Sequence, residues 1–242
     1  MKRPIDNPIT RLVGCIFFGF AFSGTAYASK YQPAEFADAL AHLQQSVSAP
    51  QLSADLPVVG VYCQADVDVS GITSDVRCYE KEGFDELRQQ TEQAMSGRNF
   101  TPATVDGNPV PVRMVFRVVY SEIEGQQPIL LLPNLGNMQK RLGAGYIAPQ
   151  ERLDVPQWYA KYQAGGGEGR NFFASKGPLT RVIAHVDEEG KVAGVRRIEA
   201  HGRYRSDAVI LEKALPDARF IPGVAKGKPQ QMQYVAVLNY AN

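Results

Sequence analysis

Histidine, cysteine and tryptophan are scarce in this chain, at three, three and one among 242 residues. His42, His185 and His201 are spread along the sequence without ligand spacing, so no metal and no cofactor is expected. Neither sign of charge dominates, with 26 Lys and Arg against 25 Asp and Glu, which argues against nucleic acid as a partner. Equally missing are a G-x-S-x-G elbow and a Cys-x-x-Cys pair. The Gly-rich stretch AGGGEGRN at 164–171 lacks the Lys-Ser/Thr of a phosphate loop and reads as linker. The acidic run Asp187–Glu189, before Gly190, is explained better by a solvated turn than by paired catalytic carboxylates. A non-enzymatic protein is expected.

Long apolar runs are also absent. Leu12–Phe22 falls short of the roughly 20 residues that span a bilayer, as does PILLLPNLG at 128–136. The former follows Lys2, Arg3 and Arg11 and precedes Ala26 and Ala28, the layout of a signal peptide covering 1–28. Removing three basic residues and one acidic one would take the net charge from +1 to −1. Cys15 lies near the start of the apolar stretch, the wrong end for lipidation. A retained N-terminal segment is the alternative, and only then would a membrane be a partner. After cleavage Cys63 and Cys78 remain, and export to an oxidising compartment favours their pairing.

The chain contains one cassette twice. FTPATVDGNPVPVRMVFRVVY occupies 100–120 and FIPGVAKGKPQQMQYVAVLNY occupies 220–240, with Phe, Pro, Gly, Pro and Tyr repeating at a constant offset of 120. Before each lie two β-rich runs around a Gly turn and then a helical pattern. In the first copy the turn falls at Ser70 and Gly71, the helix covers GFDELRQQTEQAMSG, and Phe84, Leu87, Thr91, Ala94 and Met95 share one side. A two-residue turn makes opposed positions total 141, which sets Cys63 against Cys78. The same rule at Glu189 and Gly190 opposes Val182 to Arg197 and His185 to Gly194, so only the first hairpin is stapled. Ser206 is the expected cap of the second helix and Pro216 its stop.

These elements define an α+β protein of two tandem β-β-α-β domains, at 56–121 and 177–242. Residues 29–55 form an N-terminal helical segment, in which Phe36, Leu40, Leu43 and Val47 form an apolar stripe. Residues 122–176 are a connecting segment rich in Gly and aromatics, including Trp158, Tyr159, Tyr162, Phe172 and Phe173.

Both copies resemble the C-terminal domain of TonB-type energy transducers. The first carries the resemblance through Asp68, Gly71, Phe100, Pro102, Ala103, Asp106, Gly107, Pro109 and Val110. The second does so through Asp187, Gly190, Val192, Arg219, Phe220, Pro222, Gly227, Lys228 and Pro229. The resemblance implies a small sheet with one helix, whose last strand receives an extended peptide, in that family from an outer-membrane transporter. Mapped here, the receiving edges are Val112, Val115 and Tyr120 in one copy and Met232, Tyr234, Val235, Val237 and Tyr240 in the other. A long Pro-rich spacer is missing, since only Pro33, Pro50 and Pro57 precede the first hairpin. A periplasmic module that binds an envelope protein or peptide is therefore expected. An anchored energy transducer and a structural protein with self-paired domains are the alternatives.

Overall fold

A computed structural model describes residues 30–48, 50–123, 125–156, 170–171, 179–200 and 205–239. The signal-peptide assignment, the aromatic residues Trp158, Tyr159, Tyr162, Phe172 and Phe173, His201 and Tyr240 lie outside the described residues.

The chain starts with two short strands, β1 (Tyr31–Gln32) and β2 (Glu35–Phe36), and a helix, α1 (Ala39–Ser46). The helical segment expected over 29–55 thus has its helix only at Ala39–Ser46. Pro33 disfavours a helix across the residues before it. The backbone of 31–36 pairs instead with the first cassette, Tyr31 opposite Val105 and Phe36 opposite Phe100. Leu43 and Val47 are buried as the stripe requires, Leu40 stays exposed, and Phe36 sets its ring edge-on to Phe100 and Phe116.

The first hairpin joins β3 (Val58–Val67) to β4 (Thr73–Tyr79) and is followed by α2 (Asp85–Met95). Alternation along β3 puts Val59, Val61, Cys63, Ala65 and Val67 inside, where Leu87, Ala94 and Met95 of α2 cover them. The tip is longer than a two-residue turn. Asp68 donates its amide to the Ile72 carbonyl and receives the Gly71 amide, so opposed residues near the tip total 140. An irregularity beside Asp75, at φ 49°, inserts one residue into β4 and restores 141 by Cys63 and Cys78. They are joined by a disulfide with Cα atoms 4.1 Å apart. That bond marks an oxidising, extracytoplasmic environment.

The cassette forms β5 (Phe100–Thr101), β6 (Ala103–Val105), β7 (Asn108–Val110) and β8 (Val112–Ser121). Asp106 and Gly107 take φ of 50° and 80° in the tight turn between β6 and β7. The connecting segment contributes β9 (Ile129–Leu132), a single helical turn α3 (Gln139–Leu142), β10 (Gln150–Arg152) and β11 (Arg170–Asn171).

The second half contains β12 (Leu179–Val186), β13 (Val192–Ala200) and α4 (Arg205–Ala214). Its cassette gives β14 (Phe220–Ile221), β15 (Val224–Ala225), β16 (Lys228–Pro229) and β17 (Met232–Asn239). Val182 opposes Arg197 and His185 opposes Gly194 as expected, but this tip too is longer than two residues: Val186 opposes Val192, and a register shift between His185 and Val186 restores the expected pairing. Ser206, expected as the cap of α4, lies inside its first turn.

Both halves tie the hairpin tip to the cassette in the same way. Asp68 Oδ1 accepts from the amides of Ser70 and Ile72, and Asp187 Oδ1 from those of Glu189 and Lys191. The Phe100 amide donates to the Gly71 carbonyl at 2.7 Å, and the Phe220 amide to that of Gly190 at 3.0 Å. A Cβ on Gly71 would stand 2.0 Å from the Phe100 oxygen, and one on Gly190 would stand 2.1 Å from that of Phe220. Both glycines also need positive φ, at 83° and 75°. The Asp-x-x-Gly spacing is thus a folding device.

The result is an α+β protein built mainly of small antiparallel sheets. One sheet has the order β14-β10-β8-β3-β4, with β9 also on β8, a second has the order β11-β17-β12-β13, and three smaller ones are β1-β6-β7, β15-β16 and β2-β5. The first is larger than the three strands expected of one copy, because the connecting segment supplies β9 and β10 and the second cassette supplies β14. Each half has its own core beneath its helix, although Ile221 joins the first. A third apolar cluster, Val115, Met138, Leu142, Tyr146, Ala148, Ala225 and Met232, fills the space between them.

Candidate functional site

The two strands expected to receive a peptide meet different fates. β8 pairs with β3 along its whole length. Its other edge carries β9 opposite Arg117–Tyr120 and β10 opposite Val112 and Arg113. Between these strands Val115 is covered by the third apolar cluster. Val112, Val115 and Tyr120 therefore sit inside the sheet, and the first copy offers no open edge there. No local pattern in PILLLPNLG or APQER announced this, because pairing of β9 and β10 with β8 is a tertiary contact.

β17 pairs with β12 from Met232 to Asn239. On its other side β11 reaches only Leu238 and Asn239, and over 232–237 no other described strand runs alongside. Side chains alternate along this stretch. Met232, Tyr234 and Ala236 are buried, while Gln233 and Val235 are half-buried. Tyr234 lies against Phe220, ring centroids 4.7 Å apart, and its hydroxyl donates to Glu151 Oε2 at 2.8 Å. The Val237 backbone continues the strand, and Tyr240 lies outside the described residues. Arg141 Nη2 donates to the Gln231 carbonyl and Glu188 Oε1 accepts the Gln231 amide, fixing the entry to the strand.

A buried polar row, with no local sign of it along the chain, fastens this strand to the first sheet. Arg113 grips Asp66 with two bonds, Nε to Oδ1 at 2.7 Å and Nη2 to Oδ2 at 2.8 Å, and stands opposite Glu151 of β10. Burial opposes the charge on Arg113. The bond to Asp66 and the attraction of Glu151 outweigh it and hold the guanidinium charged above its ordinary range. Nearby, Gln150 bridges the backbone of Ala34, donating to its carbonyl and accepting its amide. The halves therefore meet through polar groups as well as apolar ones, Tyr234 reaching Glu151, although Arg113 Nη1 is buried without a hydrogen-bond partner among the described residues.

One open groove of about 310 Å³ lies between α1 and α2, lined by His42, Ser46, Gln90, Gln93, Ala94 and Arg98. It brings a hydroxyl within 3.0 Å of an imidazole nitrogen, Ser46 Oγ and His42 Nε2. Arg98 Nη1 approaches His42 Nδ1 at 3.4 Å. A guanidinium has only donors, so Nδ1 accepts and Nε2 carries the proton. In that tautomer the ring donates to Ser46.

Among the described residues no three His, Cys, Asp or Glu gather as a metal site, and no helix is long and apolar enough to cross a membrane. Comparison with family models, curated proteins and solved structures finds no match to the chain.

Proposed function

We propose that the protein is a non-enzymatic, exported binding module of the periplasm, made of two TonB C-terminal-like repeats. It recognises an extended segment of an envelope protein, for instance an outer-membrane transporter, by adding that segment as a strand beside β17. The observation that carries the reading is the contrast between homologous edges. Along β8 the chain supplies its own strands, whereas no other described strand runs along 232–237 of β17. Such an edge presents backbone donors and acceptors in a row, suited to main-chain pairing with a guest.

The test uses the full exported chain with a photo-crosslinking residue at Gln233, in the wild-type background and with Val235→Pro or Ala236→Pro. Successive amides along a strand point to opposite sides, so one of these prolines removes an outward donor and the other a donor to β12. The outward variant is expected to abolish the adduct while keeping its circular dichroism spectrum. Adducts formed equally by both folded proline variants would rule out main-chain pairing at this edge.

One observation favours a second reading, a structural role with self-paired halves. β10 already joins β8 of the first half to β14 of the second. Under that reading no adduct forms at Gln233 in any background.

A further inference from the structure

We infer that the guest beside β17 runs antiparallel to it and presents uncharged, apolar side chains. The inference rests on the strand-addition reading above and adds direction and chemistry to it.

Direction comes from the strands that the chain itself lays on these edges. β9 runs from Tyr120 toward Arg117, and β10 continues along the same edge from Arg113 to Val112. Both are antiparallel to β8 and both proceed toward its N-terminal end. β11 does the same on β17, passing from Asn239 to Leu238. The first repeat thus holds two successive strands on one edge. The second holds the first of them, and the place matching β10, opposite Met232 and Gln233, faces no described strand. A guest filling that place in the same sense begins near Val237 and ends near Met232.

Chemistry comes from the row that crosses the sheet at this point. In the first repeat the row reads Asp66, Arg113, Glu151, and Glu151 is 2% exposed, opposite Arg113 and accepting from Tyr234. The matching row in the second repeat is His185 and Gln233, without a guanidinium or ammonium. Glu188 already places a carboxylate at the Gln231 amide. Arg141, the guanidinium at this entry, is engaged on the Gln231 carbonyl, so a second carboxylate opposite Gln233 would lose water with no cation in its own row, whereas an apolar residue loses nothing. On the helix side of the first edge the chain uses Ile129 and Leu131 against Tyr120 and Val118. The corresponding side of β17 is formed by Met232, Tyr234 and Ala236, all buried. Apolar side chains at alternate guest positions continue that surface.

The probe is the synthetic octapeptide QQPILLLP, the sequence of residues 126–133, added to the isotope-labelled, oxidised full chain and followed by NMR. Saturable shifts are expected at Gln233, Val235 and Ala236. A nitroxide on the N-terminal end of the peptide should broaden the Val237 amide, and one on the C-terminal end the Gln233 amide. Replacing the second of its three leucines by Glu should weaken binding about tenfold or more. Reversed broadening overturns the antiparallel assignment and leaves strand addition standing. Equal affinity of the Glu peptide, or no saturable shift with QQPILLLP, overturns the apolar assignment. Binding that survives both Val235→Pro and Ala236→Pro in folded protein removes strand addition and this inference together.

Discussion

In the first repeat Cys63 and Cys78 face each other across β3 and β4 and are covalently joined. In the second the corresponding residues are Val182 and Arg197, and Arg197 reaches sideways to Glu212 of α4 at 3.0 Å. Glu212 corresponds to Glu92 of α2, which accepts the Cys78 amide at 2.6 Å. The two hairpins thus share a glutamate that ties helix to strand. Only one adds a covalent cross-link, and the half-exposed Arg197–Glu212 pair adds little in its place. The repeat with the cross-link is also the one whose edge is closed by β9 and β10. The comparison teaches that the two copies differ in how firmly they are closed, and under the proposed function the less closed copy is the one that takes the added strand.

The sharpest way to break this comparison is to hollow each half at its equivalent phenylalanine. Phe100 and Phe220 are 3% and 1% exposed and begin the two cassettes. Each change to alanine should cost about 3–5 kcal/mol. Hydrogen exchange should show Phe100→Ala loosening β3 and β4 and Phe220→Ala loosening β12 and β13. Equal loss of protection in both halves from either change would mean a single cooperative core.

A somewhat smaller effect follows removal of the cross-link. The bond closes a span of 15 residues, so Cys63→Ala with Cys78→Ala should destabilise the first repeat by about 3 kcal/mol. Denaturant melts followed by exchange should bring its stability toward that of the second repeat. An unchanged midpoint would show that strand pairing alone fixes the hairpin.

The smallest expected effect is alkaline loosening of the first repeat. Burial pushes the Tyr120 hydroxyl up to about 12, partly offset by its hydrogen bond with Thr91. A folded value above the unfolded one near 10 means that the folded state holds this proton longer. The contribution, about 2–3 kcal/mol, is full below pH 10 and is lost as pH rises toward 12. Tyr120→Phe should flatten the dependence of β3 and β8 exchange over that window. A slope that persists in the variant would assign it to other groups.

The parts of the fold that local chemistry imposes were legible beforehand. Asp-x-x-Gly calls for a tip that only glycine fits, apolar alternation marks β3, and the spacing of Leu87, Thr91, Ala94 and Met95 marks the buried side of α2. The cysteine pairing was legible too, although the path to it was not. The tip is longer than two residues, and the inserted residue beside Asp75 restored the register. Residues 31–36 misled because Phe36, Leu40, Leu43 and Val47 satisfy a helical stripe while the backbone of 31–36 is claimed by the cassette.

By itself, then, the sequence determined the repeated strand, strand, helix, strand order and the staple, since each depends on residues near one another along the chain. Tertiary structure alone decided that β9 and β10 close the edge of β8, that residues 31–36 and 147–151 pair with the two cassettes, and that Arg113 faces both Asp66 and Glu151. Strands of two to four residues carry too short a pattern to name their partners. Backbone hydrogen bonding is the same for every residue except proline, so the choice among edges falls to whichever arrangement buries the most apolar surface without stranding a charge.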